Sequence, residues 1–325
     1  MQNFEYANPT TLQEALALLS ADSAVLAGGT DLLSMMKDYT ATPKRVVNIK
    51  GIKELGGISK TAAGLRIGAS VTVDEIATNA LVKAEYPSLA MAAMGIASPQ
   101  IRNMGTVGGD LCQRPRCWYF RQGHGLLAVD QNGKPLVPNG ENRYHAIFGG
   151  GPAYFVSPSS FGPALAALGA KVKLVSAKYG KREMGMEEFF VTPKNNITRE
   201  IAAMPNELVT EIVIPSAKGA KNATYEVRHR EAIDWPLATA SVVLTMKGSS
   251  VVSAAIVMGH VAPTPWRSAA AEQAIAGKSV TAGTAEAAGA AAVADAKPLS
   301  QNAYKVQLAK VAVKRALLAA AGVKG

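Results

Sequence analysis

The 325-residue sequence is poor in the features that announce a chemistry on sight. It has two cysteines, Cys112 and Cys117, five apart and too few for a disulfide framework. Its four histidines (His124, His145, His229 and His260) show neither metal-ligand spacing nor an evident serine or carboxylate partner. No catalytic side chain and no metal ligand is assigned. No apolar run approaches the ~20 residues that cross a bilayer, and the opening residues lack the basic-then-apolar order of a secretory signal. The expectation is a soluble, cytoplasmic protein with no membrane span. Neither a G-x-G-x-x-G fingerprint nor a Walker-A sequence occurs, which argues against a nicotinamide dehydrogenase of the usual kind and against a P-loop enzyme.

What is present is an ordinary globular chain. Hydrophobic residues make up 48%, enough at this length for two or so packed units and too many for disorder. Lysine and arginine outnumber acids by 34 to 24, a net charge of +10. They are spread along the chain rather than gathered into a stripe with aromatics between, so no nucleic-acid partner is expected. The excess suits a solvated surface, an anionic cofactor or an acidic partner subunit equally.

The first fifty residues carry the cleanest pattern. Thr11 and Glu14 make a capping box, and Leu12, Ala15, Leu16 and Leu19 share a helical face. With strands at residues 4–6, 24–27 and 45–49 and a helix through Leu32, Leu33 and Met36, this predicts β-α-β-α-β around a small parallel sheet. From residue 56 the pattern turns to α+β. A strand at Leu65-Arg66-Ile67 precedes a helix capped by Thr72 and Glu75, then one helix over residues 84–97. A Gly-rich turn follows over residues 98–110, and then a long irregular section over residues 111–152 with seven glycines and four prolines. Strands are predicted at residues 154–156, 172–175 and 209–214, with a hairpin over residues 171–182. The last hundred residues read as antiparallel strands, joined at Lys247-Gly248-Ser249, followed by Ala-rich helices. In the final helix Leu308, Val311, Ala312 and Ala316 form the expected buried face, with Lys305, Lys310, Lys314 and Arg315 elsewhere.

Two glycine turns carry the functional signal. Gly28-Gly29-Thr30-Asp31 follows a strand and opens a helix, where main-chain N–H groups converge and missing Cβ atoms let a phosphate approach. Gly105-Thr106-Val107-Gly108-Gly109-Asp110 is a second turn of the same kind. A dinucleotide has two phosphates and a long span, and two loops from different subdomains can clamp it in extended form.

Together with Ala262-Pro263-Thr264-Pro265-Trp266-Arg267, these turns resemble the FAD-binding medium subunit of the xanthine dehydrogenase and carbon monoxide dehydrogenase (molybdenum hydroxylase) family. The resemblance covers essentially the whole chain. It implies an α+β fold: a two-subdomain FAD-binding domain of the PCMH type over residues 1–220, divided into about 1–55 and 56–220. A C-terminal antiparallel sheet with helices over residues 221–325 would complete it. It implies FAD contacts from Leu26, Ala27, Gly28, Gly29, Thr30, Asp31 and Leu32 on one side and from Ile101, Thr106, Gly108, Gly109, Asp110 and Ser160 on the other. It further implies electrons arriving from a small iron–sulfur subunit, itself reduced by a large molybdenum-cofactor subunit, in a heterotrimer, single or dimerised. An external acceptor would take them onward.

The sequence departs from that pattern in three places. Asp110 stands where relatives often have Asn, and Ser157-Pro158-Ser159-Ser160 stands where many carry His-Pro-Ser-Asp. Cys117 matches the first of four cysteines that hold an extra [4Fe–4S] cluster in one branch, but no cysteine follows it, so no cluster is expected in this chain. By resemblance Arg228, Arg230, Asp234 and Trp235 lie near the flavin. Two other readings stand beside the leading one: a self-contained PCMH-type flavin oxidoreductase, and a structural subunit without flavin.

Overall fold

The structure, a computed structural model, describes residues 1–230 and 233–324. Three sheets follow one another along the chain. The first contains β1 (Glu5–Ala7), α1 (Leu12–Leu18), β2 (Ser23–Leu26), α2 (Leu32–Lys37) and β3 (Arg45–Asn48). Its strands run in the order β1-β3-β2 and pair in parallel, the expected crossover topology. The capping box forms: the Thr11 hydroxyl accepts from the Glu14 N–H, and the Glu14 carboxylate accepts from the Thr11 N–H. Its core is small, built from residues such as Ala15, Val47, Ile52 and Leu55, with Leu208 lent by a later strand.

A 3-10 turn at Lys53–Leu55 leads to β4 (Ile58–Thr61) and β5 (Gly64–Gly68). Then come α3 (Val73–Thr78), α4 (Ala80–Glu85), α5 (Pro87–Gly95), α6 (Pro99–Met104), α7 (Val107–Cys112), α8 (Trp118–Arg121) and α9 (Phe161–Ala167). The unit closes with β6 (Lys171–Ser176), β7 (Gly180–Gly185), α10 (Met186–Phe189) and β8 (Leu208–Pro215). The second sheet, in the order β4-β5-β8-β6-β7, is antiparallel throughout.

Three local expectations are corrected here. The single helix over residues 84–97 is two, because Pro87 has no N–H to continue α4 and instead takes the first-turn position of α5. The Gly-rich turn is two six-residue helices, capped by Ser98 and Thr106, so Gly108 and Gly109 sit in a helical first turn. Residues 154–156 form no strand; the Tyr154 carbonyl accepts from Ala146, and the Ser157 N–H donates to Ala262.

The third unit holds β9 (Ala220–Val227), β10 (Ala238–Lys247), β11 (Ser250–Gly259), β12 (Trp266–Arg267), α11 (Ala269–Ile275), α12 (Ala282–Ala292) and α13 (Tyr304–Ala321). Its antiparallel sheet runs β12-β11-β10-β9. Small residues let its helices approach closely, and at the tightest point only glycine fits: a Cβ on Gly289 would stand 2.6 Å from the Lys310 carbonyl oxygen. The buried face of α13 differs from the expected one. It runs through Lys305, Ala309, Ala312, Val313, Ala316 and Leu317, while Leu308 and Val311 are half-buried. Lys305 reads as a solvated charge in sequence but is enclosed, its ammonium donating to the carbonyls of Tyr144 (3.2 Å), His145 (3.1 Å) and His260 (2.7 Å). Asn222 of β9 accepts from the Ser88 N–H at 2.8 Å, fastening α5 to the third sheet. No helix among the described residues is long and apolar enough to cross a membrane.

Candidate functional site

The two glycine stretches meet because one of them has no side chain at the contact. Gly28, just after β2, lies so close to the end of α6 that a Cβ there would overlap the Met104 carbonyl. Gly29 has φ +74°, the left-handed region that favours glycine. The turn therefore exposes its main chain. The N–H groups of Gly28, Gly29, Thr30 and Asp31 donate to no group among the described residues. Such successive unpaired amides form a concave donor surface for an anion.

The second stretch works differently from its sequence expectation. The Gly108 N–H donates to the Ala69 carbonyl at 2.9 Å, and the Gly109 N–H to the Thr106 hydroxyl at 3.1 Å. Those amides are committed inside the chain rather than free. Gly108 is packed against Ala69, whereas Gly109 is exposed, and a Cβ there would meet only the Thr106 hydroxyl, at 3.0 Å. Gly109 thus gives a bare wall, not a donor.

Both stretches line one cavity of about 890 Å³, near the top of the range of about 300–1,000 Å³ for small-molecule and cofactor sites. Ala27, Gly28, Gly29, Thr30, Asp31, Leu32, Ile101, Thr106, Gly108, Gly109, Asp110 and Ser160 all reach it. Leu26 does not; its side chain packs beneath the turn, within 3.1 Å of where a Gly29 Cβ would stand. Asp234 and Trp235 also line the cavity, with Ile233 and Pro236. Arg230 instead pairs with Asp234, and Arg228 with Glu226.

Asp110 turns away from the glycine wall toward the start of α9. Its carboxylate accepts from the Ser159 hydroxyl, the Gln113 amide (3.0 Å) and the N–H groups of Phe161 (3.1 Å) and Ser160 (3.4 Å). Burial pushes it up to about 6, against the pull of those donors. It supplies the acid at the α9 terminus that Ser160 lacks.

Sequence reading missed an arginine group. Asp31 accepts from the Arg114 N–H (2.8 Å) and the Arg121 guanidinium (2.8 Å), with Arg116 at 3.2 Å. Arg114 also pairs with buried Glu200, and Arg116 lies over the Trp235 ring, 4.8 Å from its centroid. Arg114, Arg116 and Arg199 line the cavity. The cation-rich spacing 114, 116, 121 was the available signal, hidden in a section that otherwise reads as irregular loop.

The thiols are packed. Burial pushes Cys112 up to about 11 and raises Cys117, whose sulfur lies 3.2 Å from His145 Nε2. Among the described residues no group of three or more His, Cys, Asp or Glu side chains could hold a metal ion. The donor set fits an extended diphosphate with planar ends: unpaired amides, a bare glycine wall and a cationic flank.

Residues 2–217 match the family described as the FAD binding domain in molybdopterin dehydrogenase, and residues 223–320 the CO dehydrogenase flavoprotein C-terminal domain. The chain is 31% identical to the aldehyde oxidoreductase FAD-binding subunit PaoB of Escherichia coli, covering 95% of this chain and 96% of that one. It is likewise 31% identical to the carbon monoxide dehydrogenase medium chain of Hydrogenophaga pseudoflava, over 98% of this chain and 96% of that one. Among solved structures, carbon monoxide dehydrogenase from Hydrogenophaga pseudoflava superposes with TM-score 0.74 at 31% identity, over 98% and 97% of the two chains. That from Oligotropha carboxidovorans superposes with TM-score 0.76 at 26% identity, over 99% of both.

Proposed function

The chain belongs to the family of FAD-binding medium subunits of molybdenum-containing dehydrogenases, and from that premise we propose that it is an electron-transfer subunit of a cytoplasmic multisubunit dehydrogenase. In this reading it receives electrons from an iron–sulfur partner, which a molybdenum-cofactor subunit reduces, and delivers them to an external acceptor. The observation that carries the reading is the run of four unpaired amides from Gly28 to Asp31, sharing one cavity with the bare wall at Gly109.

Bound FAD supplies the redox chemistry; the chain's own residues bind, orient and shield. Gly28, Gly29 and Thr30 donate to the diphosphate. Arg114, Arg116 and Arg199 flank it with positive charge. Ser160, held by Asp110, offers a hydroxyl at the wall. Trp235, braced by Arg116, covers an edge from the third unit. The aldehyde oxidoreductase and carbon monoxide dehydrogenase relatives are named as subunits or chains of larger enzymes, which supports partners here too.

Purification from the native source tests this. Flavin, iron and molybdenum should elute with this chain in one complex, and dithionite-reduced flavin should reoxidise on adding an acceptor. A chain that elutes alone, with flavin but no iron or molybdenum partner, would favour the self-contained flavoenzyme instead.

A further inference from the structure

Beyond the glycine turns the cavity follows α6 to residues 95–97 and β2 back to residues 21–23. The stretch along β2 is lined by small and polar groups, among them Ser23, Thr40 and Thr42. The stretch along α6 has Ile96 and Ile101, an apolar setting for a planar ring. Its wall is a rigid turn. Arg102 donates to the carbonyls of Ile96 (3.1 Å) and Ala97 (3.2 Å), and Ala97 is held at φ +37°.

Directly behind this wall lies an ion pair from another unit. Gly95 lines the cavity, and on its far side a Cβ would collide with Glu226 Oε2 and Arg228 Nη2 of the β9 region. The pair therefore abuts the cavity wall with no side chain between. Both side chains are nearly enclosed, 7% and 11% exposed, and the second carboxylate oxygen of Glu226 has no hydrogen-bond partner among the described residues. The carboxylate neutralises the enclosed Arg228, while the fastening of α5 to β9 falls to Asn222.

We propose that the isoalloxazine ring of the bound flavin lies against the Gly95–Ala97 turn, and that Glu226, with Arg228, is a positioning residue whose charge sets that ring's redox potential. The inference rests on the FAD reading above and deepens it. A charge behind a thin wall in a low-dielectric interior acts strongly on a group that gains electrons. Burial pushes Glu226 up to about 7, with Arg228 pulling it down and Asp110 of α7 pushing it further up. Among the described residues, Arg102 of α6 lies under the turn, and His260 at the end of β11, kept neutral by burial, feels Lys305 and Arg228. Glu226 thus changes charge within the working pH range, and the ring's electron affinity changes with it.

The test is potentiometric titration of the flavin in the full chain, purified with its FAD, between pH 5.5 and 8.5. At pH 8.5, Glu226→Gln removes a negative charge while Arg228 remains, so its midpoint potential should lie above that of the wild type. The gap should close toward pH 5.5, where the wild-type carboxyl is itself neutral. Glu226→Asp, which keeps a carboxylate there, should match the wild type at pH 8.5 but bend at a displaced pH. If Glu226→Gln does not fold, a bend near neutral pH in the wild-type profile that Glu226→Asp displaces takes its place. Superimposable profiles at unchanged flavin occupancy overturn the assignment of Glu226. A wild-type chain that takes up no FAD defeats the cofactor reading itself, and the inference with it.

Discussion

Gly28 and Gly109 have the same composition and opposite jobs. A Cβ at 28 would overlap main chain at Met104, which cannot swing aside, whereas one at 109 meets only a hydroxyl. Gly28→Ala should therefore cost the fold about 1–3 kcal/mol of overpacking strain, read as a lower Tm of the flavin-free chain. Gly109→Val should leave that Tm within a few degrees yet weaken FAD binding roughly ten-fold or more, a loss of about 1.4 kcal/mol or greater. Flavin titration of both variants separates the two roles; equal Tm losses would refute the distinction. Glycine pairs were legible in the sequence as approach points. Which glycine borders open space and which packs on backbone was not, because that depends on Met104 and Ala69, partners that local pattern does not reveal. Lys305 shows the same limit. A lysine among alanines reads as solvated, and only the three converging carbonyls explain its burial.

At the scale of elements, capping chemistry was the most readable signal. Both Thr-x-x-Glu boxes form where expected. The helices α6 and α7 went unseen because six residues are too few for a period to emerge. The capping of α9 was unreadable for another reason: Ser160 makes no side-chain cap there, and Asp110 serves it from fifty residues away. That buried carboxyl has a signed consequence. Its folded value of about 6 lies above its ordinary 3.8. Below both values folded and unfolded chains hold the proton alike; between them only the folded chain does. The group's stabilising contribution is thus present in acid and lost as pH rises through about 6. Asp110→Asn carries no such titration, so its Tm should gain on that of the wild type between pH 4 and pH 8. A gain in the opposite direction would mean that the four donors favour the ion more than burial penalises it.

For the whole molecule, the long section over residues 111–152 is a brace rather than a loose excursion. At one end Arg114, Arg116 and Arg121 converge on Asp31 of the first unit. At the other, Asn142 accepts from the Gln301 N–H, and Lys305 holds the Tyr144 and His145 carbonyls to the third. Lys305→Met should leave the Tyr144 and His260 carbonyls without their lysine donor, at about 1–3 kcal/mol for each group left unsatisfied, while the His145 carbonyl keeps the Asn302 amide. Limited proteolysis should then cut within residues 122–145 in the variant under conditions that spare the wild type. Equal resistance would show that the Asn142 contact suffices. The sequence announced this section's length and glycine content but not its purpose, since its anchors lie more than eighty residues away along the chain.

The smallness of the first sheet has a consequence for cofactor loss. Three strands of three or four residues over a handful of buried side chains make a marginal body on their own. Its grip on the remainder includes the Asp31 ion cluster, the borrowed Leu208 and the glycine contact at Met104. A coenzyme lying in that seam acts as a rivet, so stripping it should leave the amino-terminal fifty residues to fray first while the alanine-packed carboxy-terminal unit stays shut.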